Sequence, residues 1–262
     1  MHAMASLVAS LSYIMTFRGR LMVDLGLPPI IGHRGARGLA PENTLSGLKA
    51  AFGQGVRYVE IDAKLTQDGV VILMHDETLD RTTNGSGAVA ETPYALIHTL
   101  NAAKAFPDLA PEPPPTLVEV LELVQSVGGG INIEIKPCPG RERETAAAVI
   151  DVVRATWRQP ILPLLSSFQR ASLEACRDLA PDLPRGYLSE IEGEDWVAEA
   201  KSLGCTTLNL GWKMLTPAQV PGLIASGLPL LLWTVNEPEV ARAFLAAGAT
   251  AIITDRPDIV CA

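Results

Sequence analysis

From about residue 28 to the end of the chain, short apolar runs alternate with longer segments of helical periodicity. The runs that we predict as strands are residues 28–33, 56–65, 131–136, 161–166, 185–188, 206–210, 228–235 and 250–254. Helices predicted between them include residues 43–54, 143–157 and 238–247. Strands and helices that alternate in this way close into a parallel barrel when there are eight of each, so we predict a TIM (β/α)₈ barrel, an α/β fold.

Length and composition fit one barrel of this kind. The chain has 262 residues, of which 48% are hydrophobic and 5% aromatic, as suits a parallel sheet covered by helices. We predict a single domain over residues 28–262, preceded by an N-terminal extension over residues 1–27. Residues 77–115 break the alternation, and we predict a small helical insertion there, after the second strand and over the C-terminal face. The apolar residues expected to pack it are Leu96, Ile97, Leu100 and Phe106.

The formal net charge of −8 limits the classes of partner. Nucleic acids and anionic membrane surfaces are bound by basic patches, so we expect neither as a partner. An anionic small molecule would need cations placed locally inside a pocket. The sequence does not indicate the oligomeric state.

The N-terminal apolar segment, residues 3–17, lacks the features of a membrane-spanning helix and of a signal peptide. It is shorter than the roughly 20 residues that cross a bilayer as a helix, and no Lys or Arg precedes it as in a signal peptide. We expect these residues either to come from an upstream start codon or to form an extra terminal helix packed on the barrel. The four cysteines show no C-x-x-C spacing, so we predict reduced thiols in a cytoplasmic protein without stable membrane insertion.

Three carboxylates are candidates for a metal site. Glu60 and Asp62 lie two apart in one predicted strand, so both side chains face the same side. The same alternation places Glu134 and Lys136 on one face of the next strand. An ordinary buried ion pair would explain Glu134 and Lys136 alone, but three converging acids repel one another unless a cation neutralises them. Oxygen ligands favour one divalent cation, Mg²⁺ or Ca²⁺, over zinc.

Two histidines and two cations complete the candidate site. His33 ends the first predicted strand, and His75 ends residues 70–75, a predicted extended continuation of the second strand after the Asp68-Gly69 turn. Both lie at the face where α/β barrels hold their active sites. One such histidine is more often structural, but two beside carboxylate-bearing strands favour acid/base catalysis. Arg34 and Lys136 would supply positive charge for a phosphate group. These groups together predict phosphodiester cleavage.

The ordered motifs of the chain resemble those of the glycerophosphodiester phosphodiesterase family, most closely its compact bacterial cytosolic type. They are His33-Arg34-Gly35, Pro41-Glu42-Asn43-Thr44, Glu60-x-Asp62, Asp68-Gly69, His75-Asp76, Glu134-Ile135-Lys136-Pro137, Ser166-Ser167-Phe168, Trp233-Thr234-Val235-Asn236 and Ile253-Thr254-Asp255. The resemblance covers about residues 28–258, nearly the whole chain.

The resemblance implies metal-dependent hydrolysis of a small-molecule glycerophosphodiester to sn-glycerol 3-phosphate and an alcohol. The roles that it implies are Glu60, Asp62 and Glu134 as metal ligands, His33 and His75 as the acid/base pair, Arg34 and Lys136 as phosphate contacts, and Trp233 beside the glycerol moiety. The alternative for Trp233 is an aromatic residue in the core of the barrel rim.

Two other functions compete with this one. A lysophospholipase D-like phosphodiesterase would use the same scaffold on a lipid substrate. A non-catalytic barrel would have lost part of the two-histidine, three-carboxylate and two-cation set, which is intact here. The sequence leaves open the alcohol, the choice of metal, and which histidine is the acid.

Overall fold

A computed structural model of the protein describes residues 25–260 and, nearer the N-terminus, the short antiparallel strands Thr16–Phe17 and Arg20–Leu21. Most of the predicted N-terminal extension therefore lies outside the described residues, including the terminal helix or upstream start expected there. The described cysteines, Cys138, Cys176 and Cys205, are buried free thiols.

Within residues 25–260, eight parallel strands form a closed barrel. They are β1 Ile30–Gly32, β2 Tyr58–Leu65, β3 Gly130–Ile135, β4 Leu164–Ser167, β5 Arg185–Ser189, β6 Thr207–Gly211, β7 Leu230–Trp233 and β8 Ala251–Thr254. Each strand from β2 to β7 pairs with the next, β8 pairs with β1, and β1 pairs with β2 through Gly32 and Val59. The predicted TIM barrel is confirmed.

Helices surround the barrel. Their bounds are Leu45–Gly53, Tyr94–Ile97, Leu117–Ser126, Glu142–Thr156, Arg170–Leu179, Trp196–Ser202, Val220–Ile224, Pro238–Ala246 and Pro257–Val260, with 3₁₀ turns at Val89–Glu91, Trp212–Met214 and Pro217–Gln219. In the part of the chain that the structure describes, none of these helices has the length and apolarity needed to cross a membrane.

The alternation of β2 decides which side chains face the helices and which face the barrel interior. Val59 and Ile61 are fully buried in one apolar cluster with Leu48 and Val120, which come from surrounding helices. Glu60 and the other even-numbered residues of β2 consequently point to the opposite side, into the barrel. Burial of the apolar face against the helices is what fixes this strand's orientation.

Strand β2 continues past the end of β1 and folds back on itself. The strand Val71–Leu73 pairs antiparallel with the last residues of β2, after a turn in which Gly69 has φ +81°. Met74 N then donates to Asp62 O at 3.0 Å. The predicted turn and extended segment are present, and the structure adds that the segment runs antiparallel to the end of β2. The reversal returns His75 to the level of the carboxylates.

Residues 77–115 pack over this hairpin with a small core of their own. Leu79, Val89 and Ile97 are buried against Ile72 and Met74 of the returning strand. The α-helical part of the segment is Tyr94–Ile97, four residues, so the insertion is less helical than the sequence predicts. Leu96 is 59% exposed and does not contribute to the packing expected of it. The boundaries of the predicted domain remain a prediction.

Candidate active site

Three carboxylates meet inside the barrel at the C-terminal ends of β2 and β3. The register pairs Asp62 with Glu134, two positions beyond the pair of Glu60 with Asn132. One oxygen each of Glu60, Asp62 and Glu134 lie within 4.8 Å of one another, and the three residues are only 4%, 1% and 8% exposed. The structure therefore brings the predicted metal ligands together.

The charges of this cluster are not balanced within it. Burial, followed by repulsion from the other two acids, holds the pKa of Glu60 well above its ordinary value. Burial and then Asp62 raise the pKa of Glu134 to about 7. Burial would also raise the pKa of Asp62, but Arg34 and then Lys136 outweigh it and lower that pKa. A divalent cation would remove the repulsion, and oxygen ligands suit a hard ion, so the donor set fits one.

A tight turn after β1 places His33 and Arg34 beside the carboxylates. Arg34 has φ +50° and Gly35 has φ +85°, and Arg34 N donates to Glu60 Oε2 at 3.1 Å. A Cβ on Gly35 would lie 2.6 Å from the carbonyl carbon of Gly47, so a side chain does not fit there. Close packing on the following helix thus fixes the turn.

The imidazole of His33 is held by a residue close to the C-terminal end of the chain. Its Nδ1 lies 2.6 Å from Asp255 Oδ1, just past β8, and its Nε2 lies 3.9 Å from Glu60 Oε2. Asn236 Nδ2 donates to Asp255 Oδ2 at 2.9 Å, and Asn236 Oδ1 accepts from Asp255 N at 2.9 Å. Because a carboxylate only accepts, Nδ1 carries the proton and Nε2 is directed to the site.

His75 has a similar arrangement built from different residues. Its Nδ1 lies 2.7 Å from Asp76 Oδ1. Arg81 Nε donates to Asp76 Oδ2 at 2.6 Å, and Arg81 Nη2 donates to Asp76 Oδ1 at 2.9 Å. Burial lowers the pKa of His75, which favours the neutral ring near pH 7. Both predicted histidines therefore have a carboxylate on Nδ1.

Arg34 and Lys136 flank the carboxylate cluster. Arg34 Nη1 donates to Glu42 Oε1 at 2.8 Å, and its Nε lies 3.2 Å from Asp62 Oδ2. Lys136 Nζ lies 2.7 Å from Glu134 Oε1 and 3.7 Å from Asp62 Oδ1. Both predicted phosphate-binding cations thus border the space in front of the carboxylates.

A cavity of about 770 Å³ opens over these groups. The predicted site residues that line it are His33, Arg34, Glu60, His75, Glu134, Lys136 and Trp233, while Asp62, 1% exposed, is not among the described lining residues. Trp233 is part-exposed, and its Nε1 donates to Asn209 O at 3.0 Å. Its ring meets that of Phe168 edge to face, with centroids 5.4 Å apart, so the two rings form one apolar wall.

Comparison with known proteins decides the family. The model of the Glycerophosphoryl diester phosphodiesterase family matches residues 33–259, which includes every residue of this site. The chain belongs to this family. The resemblance inferred from the motifs is confirmed, and with it the enzyme class, a phosphoric diester hydrolase of the glycerophosphodiester phosphodiesterase type.

Relatives and solved structures agree across nearly the whole length of this family member. A glycerophosphodiester phosphodiesterase of Caldanaerobacter subterraneus subsp. tengcongensis is 34% identical over 234 residues, covering 87% of this chain and 94% of that one. A phosphodiesterase of Oleispira antarctica, solved with the product sn-glycerol-3-phosphate, has a TM-score of 0.87 and 36% identity, covering 90% of this chain and 96% of that one. A structure from Silicibacter pomeroyi has a TM-score of 0.80 and 32% identity, covering 89% and 92%.

Two charged residues of the site were missed in the sequence. Lys64 lies two positions after Asp62, is fully buried, and its Nζ donates to Lys136 O at 2.8 Å. The alternation that identified the carboxylates would also have identified Lys64. Arg81 comes from the insertion, and no spacing in the sequence indicates that it reaches Asp76.

Proposed function

We propose that this phosphodiesterase hydrolyses glycerophosphodiesters to sn-glycerol 3-phosphate and an alcohol, with a divalent cation and a two-histidine acid/base pair. The observation that carries the proposal is the arrangement of His33 and His75 around one cluster of three buried carboxylates in a single cavity. The Oleispira relative, whose structure holds sn-glycerol-3-phosphate, supports the choice of product.

Glu60, Asp62 and Glu134 would hold the cation, which we propose to be Mg²⁺ or Ca²⁺. Their buried oxygens lie close together, and burial followed by repulsion from the other two acids raises the pKa of Glu60, which favours a bound cation there. When bound, such an ion supplies Lewis-acid stabilisation of charge on phosphoryl oxygens. Both histidines line the same cavity as Glu60 and Glu134, which supports their acting on one phosphate group.

The two imidazoles are suited to proton transfer at Nε2. In each ring Nδ1–H donates to a carboxylate, Asp255 for His33 and Asp76 for His75, which fixes both the tautomer and the ring orientation. One histidine takes the proton of the oxygen that attacks phosphorus. The other starts as the imidazolium, with a second proton on Nε2, and gives that proton to the alkoxide that leaves, so the products are an alcohol and a phosphate monoester.

Arg34 and Lys136 would bind the phosphate oxygens. Within residues 25–260, Arg34 Nη1 and Nε contact carboxylates, whereas Nη2 has no protein acceptor. Lys136 Nζ is fixed by Glu134, and its side chain is 23% exposed, so it is reachable from the cavity. We propose that the apolar wall of Trp233 and Phe168 packs the carbon skeleton of the glycerol moiety.

The test is release of sn-glycerol 3-phosphate by purified protein from glycerophosphocholine and glycerophosphoethanolamine, with EDTA, with Mg²⁺ and with Ca²⁺. The proposal predicts release that EDTA abolishes and one of the two ions restores. Protein carrying His33→Ala and His75→Ala, purified in the same way, controls for contaminating host enzymes.

A lysophospholipid is the second substrate in this experiment. Turnover of the lysophospholipid without turnover of either glycerophosphodiester would contradict the proposed substrate class and support the lysophospholipase D-like alternative. Turnover of the glycerophosphodiesters in the presence of excess EDTA would contradict the proposed metal dependence.

A further inference from the structure

Arg81 joins two loops of the active-site rim through four hydrogen bonds. On one side its Nε donates to Asp76 Oδ2 at 2.6 Å and its Nη2 to Asp76 Oδ1 at 2.9 Å. On the other side its Nη1 donates to Glu42 Oε2 and its Nη2 to Glu42 Oε1, both at 2.8 Å. Both carboxylates are thus held in bidentate fashion by a single guanidinium group.

Each of these carboxylates also contacts a residue of the proposed machinery. Asp76 holds Nδ1 of His75, and Glu42 accepts from Nη1 of Arg34. The hydrogen bond from Arg81 is the main reason that the pKa of Asp76 lies below its ordinary value. Asp76 is therefore ionised and directed at the imidazole rather than at solvent.

Nothing else in the described part of the chain makes the same connection. Arg37 Nε also donates to Glu42, at 3.0 Å, but the other carboxylate near Arg37 is Asp255, at 3.8 Å from Nη1. Among residues 25–260, the contacts of Asp76 with charged side chains are those with His75 and Arg81. The orientation of Asp76 therefore depends on Arg81.

The fork geometry explains why the residue is an arginine. Four acceptor oxygens from two separate loops lie around one planar group, which a guanidinium matches and an ammonium does not. Glu42 is held in turn by Arg34 and Arg37, so it is a fixed anchor on the turn after β1. Arg81, 43% exposed in its side chain, attaches the insertion to that anchor.

We infer that Arg81 is a positioning residue for His75: it is anchored on Glu42, fixes the carboxylate of Asp76, and through it orients the imidazole. The inference rests on the proposed acid/base role of His75. Loss of a residue that orients a catalytic side chain in this way commonly lowers activity by about ten- to a hundredfold. Since Arg81 is not among the described residues that line the cavity, the loss falls on kcat, and KM changes by less than about threefold.

The experiment measures kcat and KM for glycerophosphocholine with the metal-loaded, full-length protein. The variants are Arg81→Met, Arg81→Lys, Asp76→Asn and the double variant Arg81→Met/Asp76→Asn, with His75→Ala as the reference. We expect Arg81→Met and Arg81→Lys each to lower kcat by about tenfold, no more than Asp76→Asn does. Because Arg81 acts through Asp76, adding Arg81→Met to Asp76→Asn should lower kcat by less than about threefold more.

A third substitution of Arg81 distinguishes loss of positioning from damage to the fold. In Arg81→Ala, guanidinium ion at millimolar concentration should restore at least part of kcat by occupying the space between the two carboxylates. The matched control is Arg143→Met, which removes an exposed arginine paired with Asp178 at 3.4 Å on the outer helices. Its kcat should stay within about twofold of the parent, because exposed pairs contribute little.

The outcomes distinguish this inference from the proposed function. Full activity of His75→Ala would overturn the role of His75 itself. An inactive His75→Ala together with an Arg81→Met within about twofold of the parent kcat would overturn the inference alone. An equal loss from Arg81→Met in the Asp76→Asn and parent backgrounds would also overturn it, since Arg81 would then not act through Asp76.

Discussion

The two histidines face the same carboxylate cluster, but different parts of the protein hold them. The partner of His33 is Asp255, just past the last barrel strand, and Asn236 from the loop after β7 fixes that partner. The partner of His75 is Asp76, and Arg81 from the insertion fixes it. The first arrangement is part of the barrel rim, whereas the second depends on a segment added over the rim.

Exposure follows the same division. The side chains of His33 and Asp255 are 11% and 15% exposed, whereas those of His75 and Asp76 are 30% and 26% exposed. A buried partner held by the barrel stabilises both the fold and the site. A partner held by the insertion stabilises mainly the site, so changes there should affect turnover more than unfolding.

The largest expected effect is loss of either histidine, and it should be similar for the two. His33→Ala and His75→Ala should each lower kcat by about 10²–10⁴-fold, the usual range for a general acid or base. The measurement is kcat for glycerophosphocholine, with circular dichroism as the control for folding. A variant that keeps more than a third of the parent kcat would show that its histidine is not part of the pair.

Substitutions of the two carboxylate partners should have different effects on kcat and Tm, because one partner lies on the barrel rim and the other is held by the insertion. We expect Asp255→Asn to lower kcat by about a hundredfold and Asp76→Asn by about tenfold, because the more buried partner allows fewer alternative positions. Asp255→Asn should also lower Tm by several degrees, while Asp76→Asn should leave it nearly unchanged. Equal losses of Tm would contradict the distinction drawn between the two regions.

The carboxylates between the histidines should make the metal-free protein sensitive to pH. The pKa of Glu134 is raised in the fold to about 7 from an ordinary value of 4.5, so the folded state keeps a proton that the unfolded chain has released. The free energy of unfolding in EDTA should therefore fall as pH rises from about 4.5 to about 7. Thermal unfolding across this range tests it.

Two controls belong with the pH experiment. Glu134→Gln should flatten part of the slope, because the neutral amide cannot release a proton. Saturating Mg²⁺ or Ca²⁺ should raise Tm most at the high-pH end, where the carboxylates are ionised. A Tm in EDTA that rises steadily from pH 5 to pH 7 would contradict the buried, repelling cluster.

The smallest expected effect belongs to charged pairs outside both regions. Arg154, on an outer helix, pairs at 2.9 Å with Asp182 in the turn after the helix Arg170–Leu179, and both side chains are about half exposed. Arg154→Met should change Tm by less than about 2 °C and kcat by less than about twofold. A loss of kcat comparable to that of Asp76→Asn would show that the effect of a substitution on kcat does not depend on its distance from the active-site rim.

The part of the site that lies on the barrel strands could be predicted from the sequence, because strand alternation and the pairing of neighbouring strands determine it. The period-2 alternation of a strand is enough to place Glu60 and Asp62 on one side, and parallel pairing of neighbouring strands brings Glu134 beside them. The positions of His33 and Arg34 follow because the C-terminal ends of parallel strands meet at one face.

What the sequence did not predict depends on non-local geometry. The antiparallel pairing of the segment after Gly69 determines where His75 lies, and the sequence predicted the turn and the extended segment but not this pairing. Asp255 and His33 are separated by 222 positions. Arg81 is reached only through the path of the insertion, where turns rather than a periodic pattern fix the chain. Lys64, by contrast, followed the alternation and was overlooked.

The central claim is that one histidine protonates the leaving group and the other deprotonates the attacking oxygen. The most direct test compares His33→Ala and His75→Ala on glycerophosphocholine and on the p-nitrophenyl ester of glycerol 3-phosphate, whose leaving group needs no proton. The rate is the first-turnover release of p-nitrophenolate. The account predicts that one variant regains most of its lost rate on the activated ester and the other does not. Equal losses for both variants on both substrates would contradict it.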